Sequence, residues 1–137
     1  MLSIKSNDYA TVFVNIAKAF AADYLNLYYV DLQSERFYEY SMRQGEEDAE
    51  LKRSDDQFFT KVREDAYKAL YPEDVEAFLS RFTKQNVLSA LDENGMFTTS
   101  YRLMLDSKPV PVKMKTLRML GDANHIIIGV ALGDTKN

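Results

Sequence analysis

Residues 96–132 read MFTTSYRLMLDSKPVPVKMKTLRMLGDANHIIIGVAL. Their two-residue alternation is the signature of strands whose side chains point to opposite faces in turn. Over Met96–Leu105, the residues Phe97, Thr99, Tyr101, Leu103 and Leu105 share one face. Asp106-Ser107-Lys108-Pro109 then turns the chain, and in Val110–Leu120 the residues Val112, Met114 and Thr116 share a face. Pro111 lacks a ladder donor, so the start of this strand is expected at an edge or outside regular pairing. Gly121-Asp122-Ala123-Asn124 leads into His125–Leu132, which is apolar on both faces: Ile126, Ile128, Val130 and Leu132 on one, Ile127, Gly129 and Ala131 on the other. A sheet with one wet face alternates apolar with polar, so this one needs cover on both sides.

Upstream of Met96 the period becomes helical. Phe58, Val62, Ala66 and Ala69 or Leu70 recur on one helix face, and Ser54 with Gln57 reads as a capping box at its start. Tyr71-Pro72-Glu73-Asp74 stops that helix and opens another, with Pro at a first helical position and acids in the first turn. Val75, Phe78, Leu79 and Phe82 form its stripe, and a third piece with Val87, Leu88 and Leu91 ends at Asn94-Gly95. Further back, Tyr24–Leu32 and Arg36–Met42 flank the polar turn Gln33-Ser34-Glu35, a hairpin pattern. The charged segment Gln44–Arg53 reads as a loop or frayed helix. Before the hairpin, Tyr9, Val12, Phe13, Ile16, Ala17 and Phe20 line one side of a helix over residues 7–22.

The expectation is one α+β domain built on a five-stranded antiparallel sheet, with helices between the second and third strands and an amphipathic helix at the N-terminus. Residues 1–22 form the helix, 23–133 the core and 134–137 the start of an exit linker. Helices over 55–92 are expected to cover one face of the sheet. The stripe Tyr9, Val12, Phe13, Ile16 and Phe20 would cover the other and take part in a homodimer.

A chain of 137 residues suits a single domain with its own core. It has no cysteine, which removes thiol nucleophiles, disulfides and thiolate metal sites, and fits a reducing compartment. The net charge is −4 with no basic run, against the clustered Lys and Arg of a nucleic-acid footprint. The longest apolar stretch, Ile126 to Leu132, falls far short of the ~20 residues of a membrane span, and Lys5, Asn7 and Asp8 interrupt any signal peptide. A cytoplasmic location is expected.

Three segments in this order and spacing are similar to PAS domains. Tyr71-Pro72-Glu73-Asp74-Val75 resembles the His-Pro-Asp-Asp segment that begins a helix in that family. Tyr101-Arg102-Leu103 resembles its third-strand pattern, and Ile128-Gly129-Val130-Ala131 its last strand. The Gly133-Asp134-Thr135 junction keeps the family's Thr and displaces its Asp by one position. The resemblance implies a sensory or regulatory domain of the kind found in bacterial diguanylate cyclases and histidine kinases. Such a domain senses a small ligand or partner and signals through dimer rearrangement to a C-terminal output domain, with no reaction of its own.

The residues offer little chemistry of their own. His125, the sole histidine, opens the last strand beside a polar turn and reads as a solvated turn residue. The acidic pairs Asp55/Asp56 and Glu64/Asp65 and the run Glu46-Glu47-Asp48 sit where solvation and helix starts explain them. No glycine-rich phosphate loop is present, and no haem, flavin or metal is expected. Tyr28, Tyr40, Phe58, Tyr101 and Met114, with small Gly129 and Ala131 opposite them, are candidates to line a cavity for a planar or amphipathic ligand. The same rings could instead fill a packed core. Two alternatives stay open: a structural dimerisation module with a collapsed pocket, and a small cone-shaped α+β enzyme using an Asp–His pair or a Tyr.

Overall fold

The computed structural model of the chain describes residues 24–41 and 50–133. Among these the order is β1 (Asn26–Asp31), β2 (Phe37–Ser41), β3 (Glu50–Asp55), α1 (Phe58–Ala69), a 3-10 turn (Pro72–Asp74), α2 (Val75–Arg81), α3 (Lys84–Asn94), β4 (Phe97–Leu105), β5 (Lys108–Met119) and β6 (Asp122–Leu132). All pairings are antiparallel, in the order β3-β2-β1-β6-β5-β4. The α+β class and the antiparallel sheet are as expected.

The expected five-stranded sheet is corrected to six strands. The additional strand, β3, comes from the charged segment read as a loop or frayed helix, and the helices follow β3 instead of lying directly after β2. Its sequence, ELKRSD, carries no apolar alternation because it is an edge strand: its ladder bonds come from β2 alone, and its charges suit an open edge. The N-terminal helix, its residues Tyr9, Val12, Phe13, Ile16 and Phe20, and the exit linker at 134–137 lie outside the described residues.

Ser54 is paired with Tyr38 inside β3, so it caps nothing. Helix α1 starts after Gln57, which is left-handed at φ 58° and makes no side-chain cap bond. Its first donors are met from the β1–β2 turn: Phe58 N–H donates to the Glu35 carbonyl at 3.0 Å and Phe59 N–H to Glu35 Oε1 at 3.3 Å. Lys84 Nζ at the start of α3 donates to Glu35 Oε2 at 3.1 Å and to the Leu32 carbonyl at 3.0 Å. One turn residue thus binds a hairpin to two helices. The end of α3 does follow its sequence signal, with Gly95 left-handed at φ 75°. Pro111 lies in β5, an interior strand. Its carbonyl accepts Gly133 N–H at 2.8 Å where β6 runs out, so the side on which proline lacks a donor faces no further strand.

The main core sits between the helices and one face of the sheet. Phe37, Phe58, Phe59, Phe82, Phe78 and Tyr101 form a continuous chain of rings with centroids 4.9 to 5.4 Å apart. Phe37, Phe58 and Phe82 are completely buried, each contributing on the order of 1.5–3 kcal/mol of transfer free energy. On the other face Leu27, Tyr29 and Tyr40 make a second buried cluster, joined by Tyr24, Tyr38, Met119 and Ile127. Both faces of the sheet are apolar, as its last strand indicates.

Candidate functional site

The seven residues expected to line one cavity are divided between the two faces. Tyr28, Phe58, Tyr101 and Met114 belong to the helix-facing core. Tyr40 and Gly129 both pair with Leu27, one from β2 and one from β6, and lie with it on the opposite face. Ala131, two residues beyond Gly129, shares that face and pairs with Lys113. The inward positions of β6 are instead Ile126, Ile128 and Val130, all buried. Gly129 makes room for a neighbour: a Cβ there would stand 2.5 Å from the Tyr24 ring. Phe58 and Met114 are packed core, which leaves Tyr28 and Tyr101 beside open space.

That space is a cleft of about 340 Å³ where α1 meets the inner faces of β1 and β2 and the end of β4. Asn26, Tyr28 and Glu39 approach from the sheet, Asp65, Lys68 and Ala69 from α1, and Tyr101 and Leu103 from β4. Arg53 of β3 reaches over the mouth. Its guanidinium lies 3.0 Å from Glu39 Oε1 and 2.7 Å from Asp65 Oδ2, joining sheet to helix. Glu39 Oε2 accepts from Asn26 Nδ2 at 3.0 Å and from the Tyr28 hydroxyl at 3.2 Å. Asn26, Tyr28 and the counter-ion Arg53 therefore share one inward carboxylate, which offsets the cost of holding the charge away from bulk water. Lys68 has no hydrogen-bond or ion-pair partner among the described residues.

Electrostatics follow from this packing. Burial, reinforced by the Glu39 carboxylate, pushes the Tyr28 phenol well above the ordinary tyrosine range. Burial alone does the same to Tyr101. Burial pulls Arg53 down, yet its bond to Asp65 and the charge of Glu39 outweigh this and hold it above the ordinary value, so it stays a cation. The cleft offers two neutral phenols, an amide and two cations against two carboxylates. Such a balanced set is suited to orienting a small polar or amphipathic molecule.

Glu39, Arg53, Asp65 and Asn26 were not among the sequence candidates. A signal for Glu39 existed: it is the carboxylate in the strand FYEYS, at an inward position between Phe37 and Ser41. Arg53 was hidden because its strand was not recognised.

His125 is better held than the solvated turn residue expected. Its Nδ1 lies 2.7 Å from Asp122 Oδ2 and its Nε2 3.6 Å from Asp31 Oδ2, and its ring stacks on Tyr29 at 5.1 Å. Asp31 also accepts from Gln33 N–H, Ser34 N–H and Asn124 Nδ2 through Oδ1. The histidine thus joins two hairpin turns, and both ring nitrogens face carboxylates. Among the described residues no group of three or more His, Cys, Asp or Glu is placed to hold a metal, and no helix is long and apolar enough to cross a membrane. The chain matches no protein-family model and no curated protein.

Proposed function

We propose that the chain is a sensory or regulatory domain of PAS type, cytoplasmic, which takes a small ligand into the cleft between α1 and the sheet. The observation that carries this reading is the cleft itself: about 340 Å³ of space with charged and phenolic groups converging on it. A ligand bonding to Arg53 or Glu39 competes with the Glu39–Arg53–Asp65 bridge and so changes how firmly α1 is held to the sheet. Output would follow through rearrangement of a homodimer towards a C-terminal output domain, with any catalysis on that neighbour. A dimerisation module without ligand is the second reading, favoured by the far face of the sheet, where Leu51 is 54% and Leu117 43% exposed.

Native mass spectrometry after gentle purification tests both. The expected result is a dimer carrying a mass excess that Ala69→Trp, which blocks the cleft mouth from the helix surface, removes. A dimer with no bound mass, and no amide shifts at Tyr28 or Arg53 on exposure to a metabolite mixture, leaves only the second reading. A ligand-free monomer overturns both.

A further inference from the structure

A second, larger cleft of about 590 Å³ lies at the β4 edge of the sheet beside α2. Its lining holds three cations, Arg81, Arg102 and Lys113, against one carboxylate, Asp74. The pairing within that set is uneven. Asp74 Oδ1 takes the Arg102 Nη2 at 2.7 Å, while Oδ2 takes both Nε at 2.9 Å and the Arg102 backbone N–H at 2.8 Å. The Arg102 guanidinium also rests on the Tyr71 ring, 4.4 Å from its centroid. Both oxygens of Asp74 are therefore engaged with one partner. The side chains of Arg81 and Lys113 are left with no hydrogen-bond or ion-pair partner among the described residues, in a chain whose net charge is −4.

The backbone adds a donor. In β4 the Arg102 N–H and C=O turn away from β5, towards Asp74 and the Tyr71 N–H. The alternation of an antiparallel strand turns those of Ser100 the same way. Ser100 is exposed, lines the cleft and pairs across β5 with Lys113. Phe78, Tyr101 and Val112 form an apolar floor.

From these features we propose that the cleft is a second binding site, for a small molecule bearing a phosphate or carboxylate group, held by Arg81, Lys113 and the outward N–H and hydroxyl of Ser100. Two cations without side-chain partners that line one cleft with an edge-strand backbone donor supply the charge-assisted bonds such a group needs. The apolar floor accepts the rest of the ligand. Tyr101 borders this cleft and the first one alike, so occupancy here would be felt at the other site.

The test is a titration of the whole chain with inorganic phosphate and, separately, malonate, followed by amide NMR at constant ionic strength set with sodium chloride. Saturable shifts at Ser100, Arg102 and Lys113 are expected with at least one of the two anions. The double variant Arg81→Gln/Lys113→Gln should weaken them at least tenfold, while Lys115→Gln, on the same strand outside the cleft, leaves them unchanged. Saturation by phosphate alone assigns a phosphate-bearing ligand, and by malonate alone a carboxylate-bearing one. Shifts that rise linearly with both anions, or saturable shifts indifferent to the double variant, overturn the proposal. Both variant positions are exposed, so a fold unchanged by circular dichroism is expected throughout.

Discussion

Thr116 is wholly buried on the helix-facing side of β5, between Phe97 and Ile128, and its Oγ1 has no hydrogen-bond partner. A hydroxyl in that position forfeits its water bonds without replacement, and valine has the same shape without the polar atom. Thr116→Val should raise stability by about 1 kcal/mol, read from the urea midpoint at unchanged m-value; a lower midpoint would show that Oγ1 has a partner in solution. The hydroxyl's position was legible: the alternation of Val112, Met114 and Thr116 places all three inward, and all three are buried. What a side chain meets inside was not legible. Gly129 and Ala131 are small enough to suggest space for a ligand, but smallness does not say which face a residue occupies. That depends on register, and the pairing of Gly129 with Leu27 puts both on the face away from the helices.

The start of α1 illustrates the element scale. Gln57 stands at φ 58°, a left-handed conformation that disfavours residues with a Cβ. Glycine relieves that cost but loses more freedom on folding, so Gln57→Gly should stabilise by a net ~0.5–1 kcal/mol. Thermal unfolding followed by circular dichroism checks this, and a decrease would mean that the Gln57 side chain holds the turn. Ser54 and Gln57 carry the spacing of a capping box, yet the cap comes from Glu35, twenty-odd residues away. A local motif cannot compete once Ser54 is committed to the β3 ladder. Elements with long periodic stripes, α1 to α3 and β4 to β6, were legible because burial on one face imprints the pattern. Strand β3 was not, because an edge strand can satisfy its backbone without apolar alternation.

For the whole molecule, acid is the most informative perturbation. The Arg102 guanidinium holds the Asp74 carboxyl below the usual carboxylate value. Partial burial pushes Asp31 the other way, but the Ser34 and Gln33 N–H groups and the Asn124 amide outweigh it and hold Asp31 low as well. Carboxylates lowered on folding contribute stability that is complete above the unfolded value, about 3.9 for Asp, and is lost as pH falls through the lower folded values. The urea midpoint should therefore be level from pH 7 to about 5 and fall steeply below 4. Asp74→Asn should start lower at pH 7 and show a shallower acid fall; a fall as steep as that of the parent chain would remove Asp74 from the account. The sheet topology carries a different consequence. Leu25 N–H bonds to the Val130 carbonyl at 2.7 Å, and Asn26 pairs with Val130, so the chain enters β1 beside the place where it leaves β6. Tension applied between residues 24 and 133 would load that ladder one rung at a time, because antiparallel bonds run across the strands. The two strands would peel apart like a zipper at low force, whereas pulling along them would strain every rung together. A mechanical pull at this junction therefore opens the centre of the sheet before its edges.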